Sequence, residues 1–211
     1  MPSFYRTSIA GAVCLCAVLS VGRATAQMRR PPSEVLAAYV REGQTPNGES
    51  NASHEFAQAL TYPGNYPAAD LEALMRGLEE LAVTGPPRLR ADAAIRLSMP
   101  GSRRVVRPIS GVFARLERVY RRSTDPLTRR VLITVMAEST ERQNAAKFLE
   151  RIAKQEPAHF LEAQYKAIQS LCRLGEEGRA VLKRLHETQV VREPKAKQTL
   201  AILAKDGFSK K

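Results

Sequence analysis

The chain has 211 residues, enough for one domain with a real hydrophobic core. Its 33 Lys and Arg outnumber 21 Asp and Glu, a formal net charge of +12 that favours anionic partners. Two of the three cysteines, Cys14 and Cys16, fall in the first apolar stretch, so only Cys172 lies beyond it and an internal disulfide is excluded there.

Met1 to Ser8 carries one cation, Arg6, and no acid, and Ile9 to Gly22 is almost wholly apolar. Ala24-Thr25-Ala26 then sets small residues at −3 and −1 of a cut before Gln27. These are the parts of a secretory signal peptide, residues 1–26. The apolar run falls short of the roughly 20 residues that span a bilayer. The sequence therefore predicts an exported chain, secreted or periplasmic, with no stable membrane span after cleavage.

Residues 27–68 read as an N-terminal helix and loop segment. Ser33 caps a short helix carrying Glu34, Val35, Leu36 and Tyr39. Thr45 to Ser53 reads as a loop by its Pro, Asn, Gly and Ser content, with Asn51-Ala52-Ser53 a glycosylation triplet inside it. Tyr62 to Pro67 is a second turn, and Asp70 caps the helix after it. From Asp70 to Phe208 nearly continuous helix is expected, leaving 209–211 as a tail.

Residues 69–208 repeat. Four helix starts, Pro87, Pro126, Leu161 and Pro194, are followed three residues on by Arg90, Arg129, Gln164 and Lys197. Six on stand Ala93, Leu132, Ala167 and Leu200; seven on, Ala94, Ile133, Ile168 and Ala201; ten on, Leu97, Met136, Leu171 and Ala204. These positions form one apolar stripe at helical spacing. Thirteen residues before each start lie Leu74, Phe113, Phe148 and Val181, and nine before lie Leu78, Glu117, Ile152 and Leu185. Glu117 is the departure. A helix pair of this length cannot bury its stripe alone, so each pair must stack on the next.

Asp125-Pro126 followed by Arg129, Leu132 and Ile133 resembles the second helix of a HEAT repeat of the armadillo type, and Cys172 to Gly175 resembles a junction common in such repeats. The resemblance implies an all-α fold, a right-handed α-solenoid of about four antiparallel helix pairs, that binds partners and does not catalyse. It also implies that Arg90, Arg129 and Lys197 belong to a structural ladder between units. Tetratricopeptide repeats have a similar period, but their Trp position is absent from a chain with no Trp.

Catalytic patterns are missing. His54, His159 and His186 are scattered, no cysteine pair or H-E-x-x-H pattern suits zinc, and no phosphate loop or nucleophile elbow occurs. No enzyme activity, metal or cofactor is expected. Charge is more informative. Residues 27–87 carry 4 basic and 8 acidic residues, whereas 88–130 carry 12 arginines and 3 acids. Arg115, Arg118 and Arg122 share one helix face. Arginine forks suit carboxylates and phosphates, although the acidic segment 27–87 can instead pack there and neutralise them.

A protein-binding module is thus the expected function. Arg88, Asp92 and Arg96 of the first unit, with Arg130 and Thr134 of the second, lie between the stripes on a groove for an acidic protein partner. The alternative is a cell-envelope polyanion held by Arg115, Arg118 and Arg122. Nucleic acid is disfavoured by export and by sparse aromatics in the basic stretch.

Overall fold

The apolar spacings emerge as helices in a computed structural model that describes residues 30–42, 51–154 and 162–208. The expected leader 1–26, Leu161, His159 and the tail 209–211 lie outside these residues. The described residues form ten α-helices: α1 (Pro32–Glu42), α2 (Asn51–Thr61), α3 (Ala68–Thr84), α4 (Pro87–Ser98), α5 (Val112–Arg122), α6 (Pro126–Met136), α7 (Arg142–Lys154), α8 (Ala163–Leu171), α9 (Glu176–Thr188) and α10 (Pro194–Lys205). No strand occurs among them, only an isolated antiparallel bridge between Ser102 and Ser139.

Helix starts obey local chemistry. Pro87, Pro126 and Pro194 open α4, α6 and α10, where a missing N–H costs nothing and φ is already set. Asp125 caps α6, accepting from the Thr128 N–H at 2.8 Å and from its hydroxyl at 2.5 Å. Two expected caps are corrected. Helix α1 begins at Pro32, before Ser33, and the Pro31 carbonyl accepts the N–H groups of Glu34 and Val35. In α3 the same part is played by the Pro67 carbonyl, and Asp70 sits inside the first turn, where its charge meets the positive end of the helix dipole.

Consecutive helices pair: α3 with α4, α5 with α6, α7 with α8, α9 with α10. The second helices then touch in order, α4 on α6, α6 on α8, α8 on α10, and the first helices α3 on α5 and α7 on α9. Between α5 and α7 rings meet, with Phe148 edge-on to Phe113 at 6.0 Å and to Tyr120 at 5.1 Å, beside an ion pair of Glu117 and Arg151. The stripe is buried: Ala93, Ala94, Leu97, Leu132, Ile133, Met136, Ala167, Ile168 and Leu171 are all at 0 % exposure. In α10 the stripe is incomplete. Leu200 is buried but Ala201 is exposed, because no described helix comes after α10 to cover it.

The segment before α3 departs most from the sequence-based expectation. Asn51 to Ser53 opens α2 and is not part of a loop. Helices α1 and α2 form a further pair, α1 against α3 and α2 against α4. Val35, Phe56, Ala59 and Leu60 are fully buried, so this pair extends the core by one layer.

Candidate binding surface

The central arginines do not present a bare cationic face. Arg118 of α5 donates to Glu79 of α3 at 2.8 and 3.0 Å, and Arg115 reaches Glu79 at 3.3 Å and Glu72 at 2.6 Å. Arg122 meets Glu80 at 3.2 Å. Burial alone would raise the Glu79 carboxyl, but the hydrogen bonds and charges of Arg118 and Arg115 outweigh it and hold the group below the ordinary carboxylate range.

The same device recurs one repeat later each time. Glu117 of α5 accepts from Arg151 of α7, and Glu150 of α7 accepts from Arg184 of α9 at 2.8 Å. Both carboxyls are held low, Glu117 against its burial by Arg121 and Arg151, Glu150 chiefly by its hydrogen bond to Arg184. An acid–arginine ladder therefore runs between successive first helices. Glu117, the one break in the apolar frame, is a rung of it.

This ladder gives a pH test. A carboxyl depressed in the folded state adds stability that is complete above its unfolded value, about 4.3 for glutamate, and is lost as pH falls through the folded value. Glu79→Gln is expected to lower the urea-unfolding free energy at pH 7 by about 2 kcal/mol, between the surface-pair and buried-pair values. The gap between variant and parent should close as the pH is taken below 4. An unchanged gap at acid pH would show that lost packing, not charge, sets the difference.

Asp92 and Arg96 are also committed internally. Arg96 donates to Asp92 at 2.8 Å, and its guanidinium lies 5.0 Å from the Tyr39 ring centroid and 5.6 Å from that of Phe56, themselves stacked at 5.0 Å. The Tyr39 hydroxyl donates to Asp92. Burial, then the Asp92 carboxylate, pushes the Tyr39 phenol up. These two groove candidates thus clasp the N-terminal pair to α4.

Gln164, which stands where the other units carry a cation, is buried between units. Its amide donates to the Ala153 carbonyl at 2.7 Å, and its oxygen accepts the N–H groups of Arg192 and Glu193. Arg90 instead donates to the Gly85 carbonyl of its own turn, Arg129 lies over the Tyr120 ring, and Lys197 is exposed.

Of the remaining groove candidates, Arg88 and Arg130 are exposed or nearly so, and the Thr134 hydroxyl donates to the Arg130 carbonyl at 3.2 Å. Around Arg130 a cluster assembles that the sequence alone did not reveal. Lys166 of α8 is pushed below the ordinary lysine value by burial first, then by the positive charges of Arg130, Lys195 and Arg173, against the single opposing charge of Glu162. Glu162 is bridged to Lys195 at 2.8 Å. Tyr165 lies beneath both lysines, with Lys195 4.2 Å and Lys166 5.5 Å from its ring centroid. Two lysines from α8 and α10 thus lie on one tyrosine, within the field of Arg130 and Arg173. Two acids, Glu162 on Lys195 and Glu193 accepting the Tyr165 N–H at 3.1 Å, stand against these four cations. Leu127 on α6 and Ile202 on α10 are exposed on the same helices. The signal was present in the repeat frame: Arg130 and Tyr165 are both four residues after a helix start, and Lys166 is next.

His54 lies in α2, and His186 in α9 stands edge-on to Phe208 at 6.0 Å. Cys172 is half-buried at the end of α8. No group of three or more His, Cys, Asp or Glu able to hold a metal gathers among the described residues. No described helix is long and apolar enough to cross a membrane. The chain matches no protein-family model, no curated protein and no solved structure.

Proposed function

We propose that this chain is an exported, non-enzymatic module, a HEAT-like right-handed α-solenoid whose second helices grip an acidic segment of a protein partner. The observation that carries the reading is Tyr165 beneath Lys166 and Lys195, with the charges of Arg130 and Arg173 reaching Lys166. Burial first, then the like charges of Arg130, Lys195 and Arg173, depress Lys166, so an added carboxylate there relieves repulsion as well as forming new ion pairs. Tyr165 offers flat apolar area beside those charges, the mixture that anchors protein interfaces. Export is supported by the composition of residues 1–26. The HEAT-like reading is supported by the repeated frame and by the order in which the helices touch.

The polyanion reading rests on Arg115, Arg118 and Arg122. With Glu72, Glu79 and Glu80 paired to them, the second-helix cluster is the better acceptor for negative charge.

A fluorescein-labelled oligoglutamate peptide at low salt serves as the probe. Anisotropy should report binding that weakens about tenfold in Lys166→Glu, the scale of one desolvated charge contact. Lys147→Glu on α7, an identical change in net charge on the other row of helices, should leave affinity within about twofold, since only long-range steering changes. Equal losses in both would reduce the effect to net charge and remove the site.

A further inference from the structure

A second surface, away from the Tyr165 cluster, joins exposed apolar area to unneutralised charge. Val106 is 83 % exposed, the highest value among the large hydrophobic residues described, and Tyr62 is 52 % exposed. Both border one groove of about 310 Å³, formed by Thr61 to Asn65 on one side and Val106 and Arg107 on the other.

The walls are held in place. In the α4–α5 connection the Arg103 N–H donates to the Glu138 carbonyl at 3.0 Å and the Ile109 N–H to the Pro100 carbonyl at 2.8 Å, while Val105 is buried. Pinning Val105 inward turns Val106 outward. The opposite wall is a 3-10 turn, Pro63–Asn65, with Pro63 buried and the Asn65 N–H donating to the Tyr62 carbonyl. A Cβ on Gly64 would stand 3.6 Å from Arg107 Cδ, so the arginine stem crosses this turn at van der Waals distance. An apolar side chain left in water on a pinned loop is a different matter from one on a mobile tip. It presents a fixed shape, so little ordering entropy opposes binding.

Charge narrows the occupant. Arg103 and Arg104 share the carboxylate of Glu138, at 3.2 and 3.4 Å. Arg107 has no ion-pair partner within 4.0 Å among the described residues. Two guanidinium groups thus answer to one acid, and the third, Arg107, borders the apolar groove. The volume is at the low end for ligand sites, about 300 to 1,000 Å³, and suits one large side chain better than a metabolite.

We propose that Tyr62, Val106 and Arg107 form a docking socket for a peptide segment of a protein partner, taking an apolar side chain between Tyr62 and Val106 and an adjacent carboxylate on Arg107. The assignment stands on this groove alone and does not require the second-helix site.

The test is an amide-resolved NMR titration of the full chain with the acetylated, amidated dipeptide leucyl-glutamate. Shifts confined to residues 61–65 and 105–107, weakened about tenfold by Val106→Asp and by Arg107→Glu, are expected for a two-point anchor. Both side chains are exposed, so neither variant endangers folding. The acetylated, amidated glycyl-glutamate should bind about tenfold more weakly, having no apolar anchor to bury. The absence of shifts at these residues, or equal shifts from the two dipeptides, would overturn the proposal. So would line broadening at these residues that grows with protein concentration alone, which would make a second copy of the chain the occupant.

Discussion

Leu132→Asp is expected to abolish cooperative folding of the central helices. Leu132 has no exposed surface and lies in α6, which packs on α4, α5 and α8. Truncation of a buried leucine alone costs about 3 to 5 kcal/mol through lost transfer energy and the cavity left behind. An unpaired carboxylate adds several kcal/mol of desolvation, or takes up a proton at the expense of stability. The sum reaches the whole stability of a typical domain, about 5 to 15 kcal/mol. Far-ultraviolet circular dichroism during heating should show loss of the main transition. Leu127→Asp, near the start of the same helix but 57 % exposed, should shift stability by no more than about 0.5 kcal/mol. If the two variants behave alike, the buried face of α6 is misassigned.

Gly178→Ala is the second large effect, and its sign runs against helix propensity. Gly178 is in the first turn of α9, and alanine there would favour an isolated helix by about 1 kcal/mol. Its position in the fold decides otherwise. A Cβ would stand 1.9 Å from the Leu171 carbonyl oxygen and 2.9 Å from its carbon. That obstacle is backbone at the end of α8, not the tip of a side chain that can swing away. Helix α9 must retreat, loosening Leu174 and Leu182 from the core, and overpacking of this kind costs about 1 to 3 kcal/mol. The net loss should lower the melting temperature by about 5 °C, at about 2 to 4 °C per kcal/mol for a chain of this size. An unchanged or raised melting temperature would mean that α8 and α9 separate more readily than their contact implies.

The arginine-rich stretch gives the pH result its wider meaning. Twelve arginines within residues 88–130 invite a reading as a binding face. Seven of them instead pair with acids: Arg115, Arg118 and Arg122 with α3, Arg121 with Glu117, Arg96 with Asp92, and Arg103 and Arg104 with Glu138. The proposed binding sites rest on other cations, Lys166 with Lys195 and, in the groove, Arg107.

The sequence by itself determined the helical frame. Residues six, seven and ten after each start are apolar because one face of a helix must be buried, and that spacing is visible without coordinates. It also made Glu117 conspicuous. Residues 51–61 were not legible as a helix, since Asn51, Ser53 and Gln58 give the segment the polarity of a loop. Only tertiary contact, with α1 and α4, supplies the buried surface for Phe56, Ala59 and Leu60 that holds it helical. Tertiary structure alone decided which charges are spent. Glu79 meets Arg118, Glu117 meets Arg151 and Glu150 meets Arg184 because stacking sets residues one repeat apart side by side, a distance over which the linear chain carries no electrostatic information. The same stacking left Lys166 among Arg130, Arg173 and Lys195, three cations drawn from separate parts of the sequence.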